Sequence, residues 1–138
     1  MRSIKFRGKV RKTRPEIAIG KRPEDGTWVV GDLHYWNTGH PHIHFNSARR
    51  VSIDPDTIGE FTGLTDKNGK DIFEGDIIRS VNGMKKDKTG KFVENAIVFA
   101  VKYDMASFNV SSLALVTDSI EVIGNIYDNP ELLKEEKE

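Results

Sequence analysis

A chain of 138 residues with 21 basic side chains, 21 acidic side chains and no cysteine is long enough for one ordinary core, or a core and a smaller appendage, without disulfides. It offers no thiolate for a metal site, and its zero net charge does not steer the whole molecule toward polyanions. No apolar run of a signal peptide or spanning helix opens it, so a cytoplasmic protein with no membrane attachment is expected.

The dominant period along the chain is two, broken by Gly, Asn and Asp pairs, which predicts mainly β structure. In "SIKFRGKV" and the residues after it, Ile4, Phe6 and Val10 fall on one side of an extended strand. Lys5, Arg7, Lys9 and Arg11 fall on the other, giving a half-buried strand with a cationic outer face. "KRPEDGTWVVGDLHYW" reads as a turn followed by a strand from about 28 to 36, which "HIHF" extends or pairs with. The polar stretch "NSARRVSIDPD" marks a seam near 46 to 56, dividing an N-terminal β segment (1–52) from a C-terminal part (53–138).

Beyond the seam, "TIGEFTGL" is a strand, and Asn68-Gly69 in "DKNGKDI" sits where a tight reversal needs positive φ. "IFEGDIIRSV" re-enters as strand, the lysine-rich "NGMKKDKTGK" reads as an exposed loop, and "AIVFAVKYD", "SFNVSSLALV" and "SIEVIGNIY" are three further strands. Alternation assigns Ile58, Phe61, Ile72, Ile77, Val98, Val101, Phe108, Val122 and Ile126 to a C-terminal core. "DNPELLKEEKE" closes the chain as a short helix, with Asn129 as cap and Pro130 at its first position. No internal repeat is present, and short strands at this spacing predict a small antiparallel barrel or sandwich.

The opening "MRSIKFRGK", the "WVVGDL" at 28–33, "IDPDTIGEFTGLTDKNGKDIFEGDIIR" at 53–79 and "EVIGNIYDNPELL" at 121–133 together resemble the YopX family of small phage and prophage proteins. The resemblance covers both ends and the middle in order. It implies an SH3-type barrel for the C-terminal part and a phage or prophage setting, for a family without an established biochemical activity. The segment "HYWNTGHPHIHFNSARR" departs from the family's recurrent pattern, so no family role passes to its histidines.

Those histidines are the feature most like chemistry. His40, His42 and His44 alternate, and in a strand such positions lie roughly 6.5–7 Å apart, with the outer two about 13 Å apart. A zinc ion with bonds near ~2.1 Å accepts two neighbours and needs a third ligand from elsewhere; His34, Asp32, Asp54, Asp56 and Glu60 are the candidates. Pro41 argues for a loop or edge, and the segment reads as an exposed, partly structural loop with a histidine-metal site as the lesser alternative. "DKNGKD" has its glycine at the wrong place for a calcium loop and reads as a β-turn. Glu74 and Asp76 are close, but no activated nucleophile or apolar pocket accompanies them, and Asp76 reads as a turn acceptor. No phosphate loop or nucleophile elbow occurs, so no catalytic residue, cofactor or enzymatic activity is expected.

Surface charge remains. Residues 1–22 hold nine cations against one carboxylate, a local charge of +8, while from 118 onward seven carboxylates face two lysines, a local charge of −5. The row Lys5, Arg7, Lys9 and Arg11, with Arg14 and the loop lysines Lys85, Lys86, Lys88 and Lys91, is the candidate interaction surface. Opposite ends suit a homo-oligomer in which the basic region of one copy meets the acidic region of another. The expected function is therefore a non-enzymatic binding or assembly module. The alternative is a small barrel that binds nucleic acid through the basic strand face, against which Phe6, Trp28 and Phe45 are all candidates for the core; a host or phage protein is a further candidate partner.

Overall fold

The computed structural model describes residues 4–11, 26–35, 40–46, 49–104, 107–108 and 119–134. These form two compact units, Met1–Phe61 and Thr62–Glu138, built almost entirely from antiparallel strands.

In the first unit the strands are β1 (Phe6–Lys9), β2 (Trp28–Tyr35), β3 (Pro41–Asn46), β4 (Arg49–Ser52) and the start of β5 (Gly59–Thr65), in the order β4-β3-β2-β1-β5. Alternation decides the faces as expected for β1: Phe6 packs against the core and Val10 is buried within it, while Ile4, ahead of the strand, is exposed. The core joins Val10, Val29, Ile43, Val51 and Ile53, with Phe6, Leu33, Phe45 and Ile58 packed against them. Gly31 sits where β2 and β3 approach closely, since a Cβ there would strike the carbonyl of His44.

Three expectations are corrected in this unit. The histidine segment is an interior strand, because β3 pairs with β2 on one edge and β4 on the other and proline is tolerated as the first residue of a strand; the Pro41 carbonyl accepts from the Ile53 amide at 3.0 Å. Part of the polar seam is β4, whose Val51 is buried beside Ile53. Ile58, expected in the C-terminal core, packs here instead, because the 3-10 turn Pro55–Thr57 directs the chain back along β1.

The second unit holds the remainder of β5, then β6 (Asp71–Phe73), β7 (Asp76–Lys86), β8 (Phe92–Ala100), β9 (Tyr103–Asp104), β10 (Ser107–Phe108), β11 (Ile120–Asn125) and the helix α1 (Glu131–Lys134). β6 neighbours β5, a second sheet has the order β11-β7-β8, and β9 and β10 pair as a two-stranded sheet. Among the described residues no pairing closes a sheet into a barrel. Ile72, Ile78, Val101 and Ile120 form the core, with Leu64, Phe99 and Val122 against it. Ile77 is also fully buried. The side chain of Phe108 and most of "SFNVSSLALV" lie outside the described residues.

The lysine-rich connection is strand rather than loop over its first half, 82–86. β7 and β8 continue pairing to Lys86↔Phe92 through a bulge between Val81 and Met84, and only the tip turns. There Asp87 accepts from the amides of Thr89 and Lys91 at 2.9 and 3.0 Å. Polar composition signals exposure, and an exposed hairpin satisfies it as well as a loop does. At the helix, the Asn129 carbonyl accepts from Leu132 at 3.1 Å, while its side chain turns back to the Asn125 amide at 3.3 Å.

The Asn68-Gly69 reversal is present, with Gly69 at φ 80 and Asp66 donating its amide to the Lys70 carbonyl at 2.8 Å. Its anchor is the carboxylate of Asp66, 5% exposed. That carboxylate accepts from the amides of Asn68 and Lys70 at 2.9 Å each, and from Val122 of β11 at 3.0 Å. Burial alone would raise the pKa of this carboxyl, but the three amides outweigh it and hold it below the ordinary carboxylate value.

Two predictions follow from the turn. Gly69→Val puts a β-branched residue at positive φ and is expected to cost about 1–3 kcal/mol, read as a lower midpoint in thermal denaturation. A carboxyl with a depressed folded pKa contributes stability that is present in full above its unfolded pKa and lost as pH falls through the folded one. Asp66→Asn is therefore expected to cost about 2–3 kcal/mol at neutral pH, and to remove part of the stability loss that the parent shows as pH falls from about 4. Urea titrations at neutral and acid pH measure both effects.

Candidate interaction face

The face of the first sheet opposite its core collects the cations. Lys5, Arg7 and Lys9 project there because Phe6 and Val10 take the other side, and the antiparallel register sets Lys9 opposite Trp28 and Arg7 opposite Val30. Trp28 is thus on the cationic face, only partly buried. The Arg7 guanidinium lies 4.6 Å from the centre of the Trp28 ring, and Lys9 Nζ lies 5.4 Å from it. Lys5 Nζ lies 4.5 Å from the centre of the Phe61 ring, on the residue whose amide donates to the Lys5 carbonyl at 2.9 Å.

Such contacts contribute about 0.5–1 kcal/mol when exposed and about 2 when desolvated. Their larger effect here is order: each long side chain is held along a ring. Arg7 is only 8% exposed, so the row is a packed surface of charge over aromatic carbon rather than a set of freely solvated side chains. Arg11 continues beyond β1 and donates to His40 Nδ1 at 2.7 Å. Lys85, Lys86, Lys88 and Lys91 are exposed on the second unit's hairpin, and Arg14 lies outside the described residues. Sequence reasoning passed over Trp28 and Phe61 as parts of this face. Their only signal was the β1–β2 and β1–β5 pairing, which periodicity does not specify.

The histidines share the same outer face farther along the sheet. The register opposes His42 to His34, and His44 to Asp32 on one side and Arg50 on the other. The rings of His34 and His44 lie 4.4 Å apart, and His44 Nε2 is buried with no hydrogen-bond partner among the described residues. His42 Nδ1 donates to the His40 carbonyl at 3.1 Å. Among the described residues no group of three His, Asp or Glu side chains is arranged to hold a metal ion. Of the suggested third ligands, Asp32 and His34 lie on β2 beside the histidine strand, while Asp54 is engaged in its own turn, accepting from the Asp56 amide at 3.1 Å. Of the paired carboxylates of the second unit, Asp76, 1% exposed, accepts from the Phe73 amide at 2.7 Å, within its own turn.

The ordinary pKa of His42 is lowered, first by burial and then by Arg50, His40 and His44, against the raising effect of the His40 carbonyl. A base with a depressed folded pKa resists protonation in the folded state. Its stabilising contribution is whole above the unfolded value, near 6.5, and declines as pH falls through the folded one. The first unit is expected to lose stability between about pH 7 and pH 5, and His42→Gln is expected to reduce that loss. Denaturation midpoints of both proteins across this range measure it.

A mainly β chain of antiparallel sheets, bearing a packed cation-and-aromatic face, defines the broad class. The YopX protein family model matches residues 24–134, and the chain belongs to the YopX family. It is also similar to the crystal structure of protein EF1440 from Enterococcus faecalis. That similarity has 25% identity and a TM-score of 0.46, and covers 96% of this chain and 99% of the other. No curated protein matches the chain. Among the described residues, no helix is long and apolar enough to cross a membrane.

Proposed function

We propose that this YopX-family chain is a non-enzymatic binding module that assembles with further copies of itself, in the cytoplasm and in a phage or prophage setting. Its second unit is read as an SH3-type barrel. The observation that carries the binding reading is the row Lys5, Arg7 and Lys9 held over Phe61 and Trp28. Cations already ordered on rings lose little side-chain freedom when an acidic surface arrives. The acidic surface is supplied by the C-terminal end of another copy, where seven carboxylates face two lysines from residue 118 onward and Glu131 is exposed on α1. Such a head-to-tail contact uses ion pairs for register and orientation.

A second reading, nucleic-acid binding through the same face, draws on Trp28, since small β modules grip single strands with basic grooves and aromatic platforms. Assembly is preferred because the rings are already covered by cations, leaving less open aromatic surface for a base.

Replacing Lys5 and Lys9 together by Glu is expected to lower the mass of the parent in solution toward that of a monomer, 15.6 kDa, with a β-type circular dichroism spectrum retained. Sedimentation with and without added oligonucleotide measures it. A parent that is monomeric at high concentration defeats assembly, and tight, steeply salt-dependent binding of the oligonucleotide promotes the second reading.

A further inference from the structure

Past the end of β1 three chain segments converge. The Val10 amide donates to the Thr27 carbonyl and the Gly26 amide to the Val10 carbonyl, at 2.9 Å each, while Arg11 donates to the Ser52 carbonyl and Asp54 to the Lys9 carbonyl, also at 2.9 Å. Between them lies a cleft of about 590 Å³ lined by Lys9, Val10, Arg11, Gly26, His40, Asp54 and Pro55. Its size is in the range of small-molecule sites. We infer that this cleft binds a phosphate group, carried by a ligand of about nucleotide size.

Charge is the first support. Two basic side chains, Arg11 and Lys9, line the cleft, and the one carboxylate of the lining, Asp54, is drawn into a turn, where it accepts from the Asp56 amide at 3.1 Å. The second support is the polarity of His40. Because a guanidinium only donates, the 2.7 Å contact from Arg11 Nη1 makes His40 Nδ1 the acceptor, and a neutral imidazole then carries its proton on Nε2. The exposed ring of His40 therefore offers a donor, and Arg11, with one of its five N–H groups engaged, keeps others for an oxyanion. Two basic side chains and an imidazole N–H donor suit a phosphate, whose charge and acceptor oxygens exceed those of a carboxylate. The contact also fixes Arg11 before a ligand arrives.

This site is separate in its ligand from the assembly face, although Lys9 borders both. The test is a titration of the full chain with inorganic phosphate, with AMP and with a short single-stranded oligonucleotide, followed by amide shifts in heteronuclear NMR spectra at low ionic strength. Saturable shifts at Gly26 and Arg11 are expected with AMP, and Arg11→Gln and His40→Ala are each expected to weaken it by about tenfold or more. An oligonucleotide that binds far more tightly than AMP, with a steep salt dependence, identifies the phosphate source as a nucleic-acid backbone; AMP binding as tightly identifies a free small molecule. No saturable shift with any of the three probes overturns the inference. So do shifts that persist unchanged in both variants. The solution mass of His40→Ala keeps the two readings apart: the cleft requires loss of AMP binding with the parent's mass retained, and a coupled loss of both assigns His40 to the assembly contact and overturns the cleft.

Discussion

The first unit is organised by the double pairing of β1. This short strand runs antiparallel to β2 on one side and β5 on the other, and the residues flanking it are bonded just as fully. The Lys9 amide donates to Thr57 Oγ1 at 2.9 Å, the Lys9 carbonyl accepts from Asp54, and the Val10 amide and carbonyl both bond to the 26–27 segment. Each such bond has a modest net value of about 1 kcal/mol, but leaving a buried donor or acceptor empty costs about 1–3. A strand bonded along both edges has only its two faces left for side chains. One face must complete the core through Phe6 and Val10, and the other must therefore display Lys5, Arg7 and Lys9.

That constraint explains why the cationic face is packed. Central strands bring neighbours on both sides, so a long cation cannot simply extend into solvent; it lies across whatever the adjacent strands present. Here these are Trp28 and Phe61, whose ring faces attract cations. The same crowding farther along the sheet brings His34, His42 and His44 together with Arg50 opposite, and there burial, followed by Arg50, lowers the pKa of His42. Charge arrangement and core packing in this unit are thus two consequences of one register.

The second unit relies on a comparable economy at Asp66. A single carboxylate closes the turn between β5 and β6 and also bonds the amide of Val122 on β11, joining residues 56 positions apart. Asp76 does the same on a local scale at the next turn. Both acids had a catalytic or ligating alternative on paper, since acidic residues near glycine occur in such sites. In the fold their oxygens are occupied by backbone amides, which is the commoner use of an aspartate beside a turn.

Some of this was determined by the sequence alone. The period-two pattern specifies strands near 28–36, 57–64 and 96–104, which the structure places at 28–35, 59–65 and 92–100, because successive side chains must face opposite ways. Asn68-Gly69 specifies a reversal, because positive φ suits few other residues. The alternation of Lys5, Arg7 and Lys9 with Phe6 and Val10 specifies a cationic strand face. The spread of matching segments identified the family. Tertiary structure alone decided the rest, because strand pairing is non-local and a composition says nothing of its register. Only pairing turned the polar stretch around Arg50 into β4 and the proline-headed histidines into an interior strand. It made the lysine-rich connection a hairpin and moved Ile58 into the first core. It also set Trp28 opposite Lys9 and brought His40 beside Arg11, 29 residues away in the chain. The candidate sites of this protein lie where such distant segments meet.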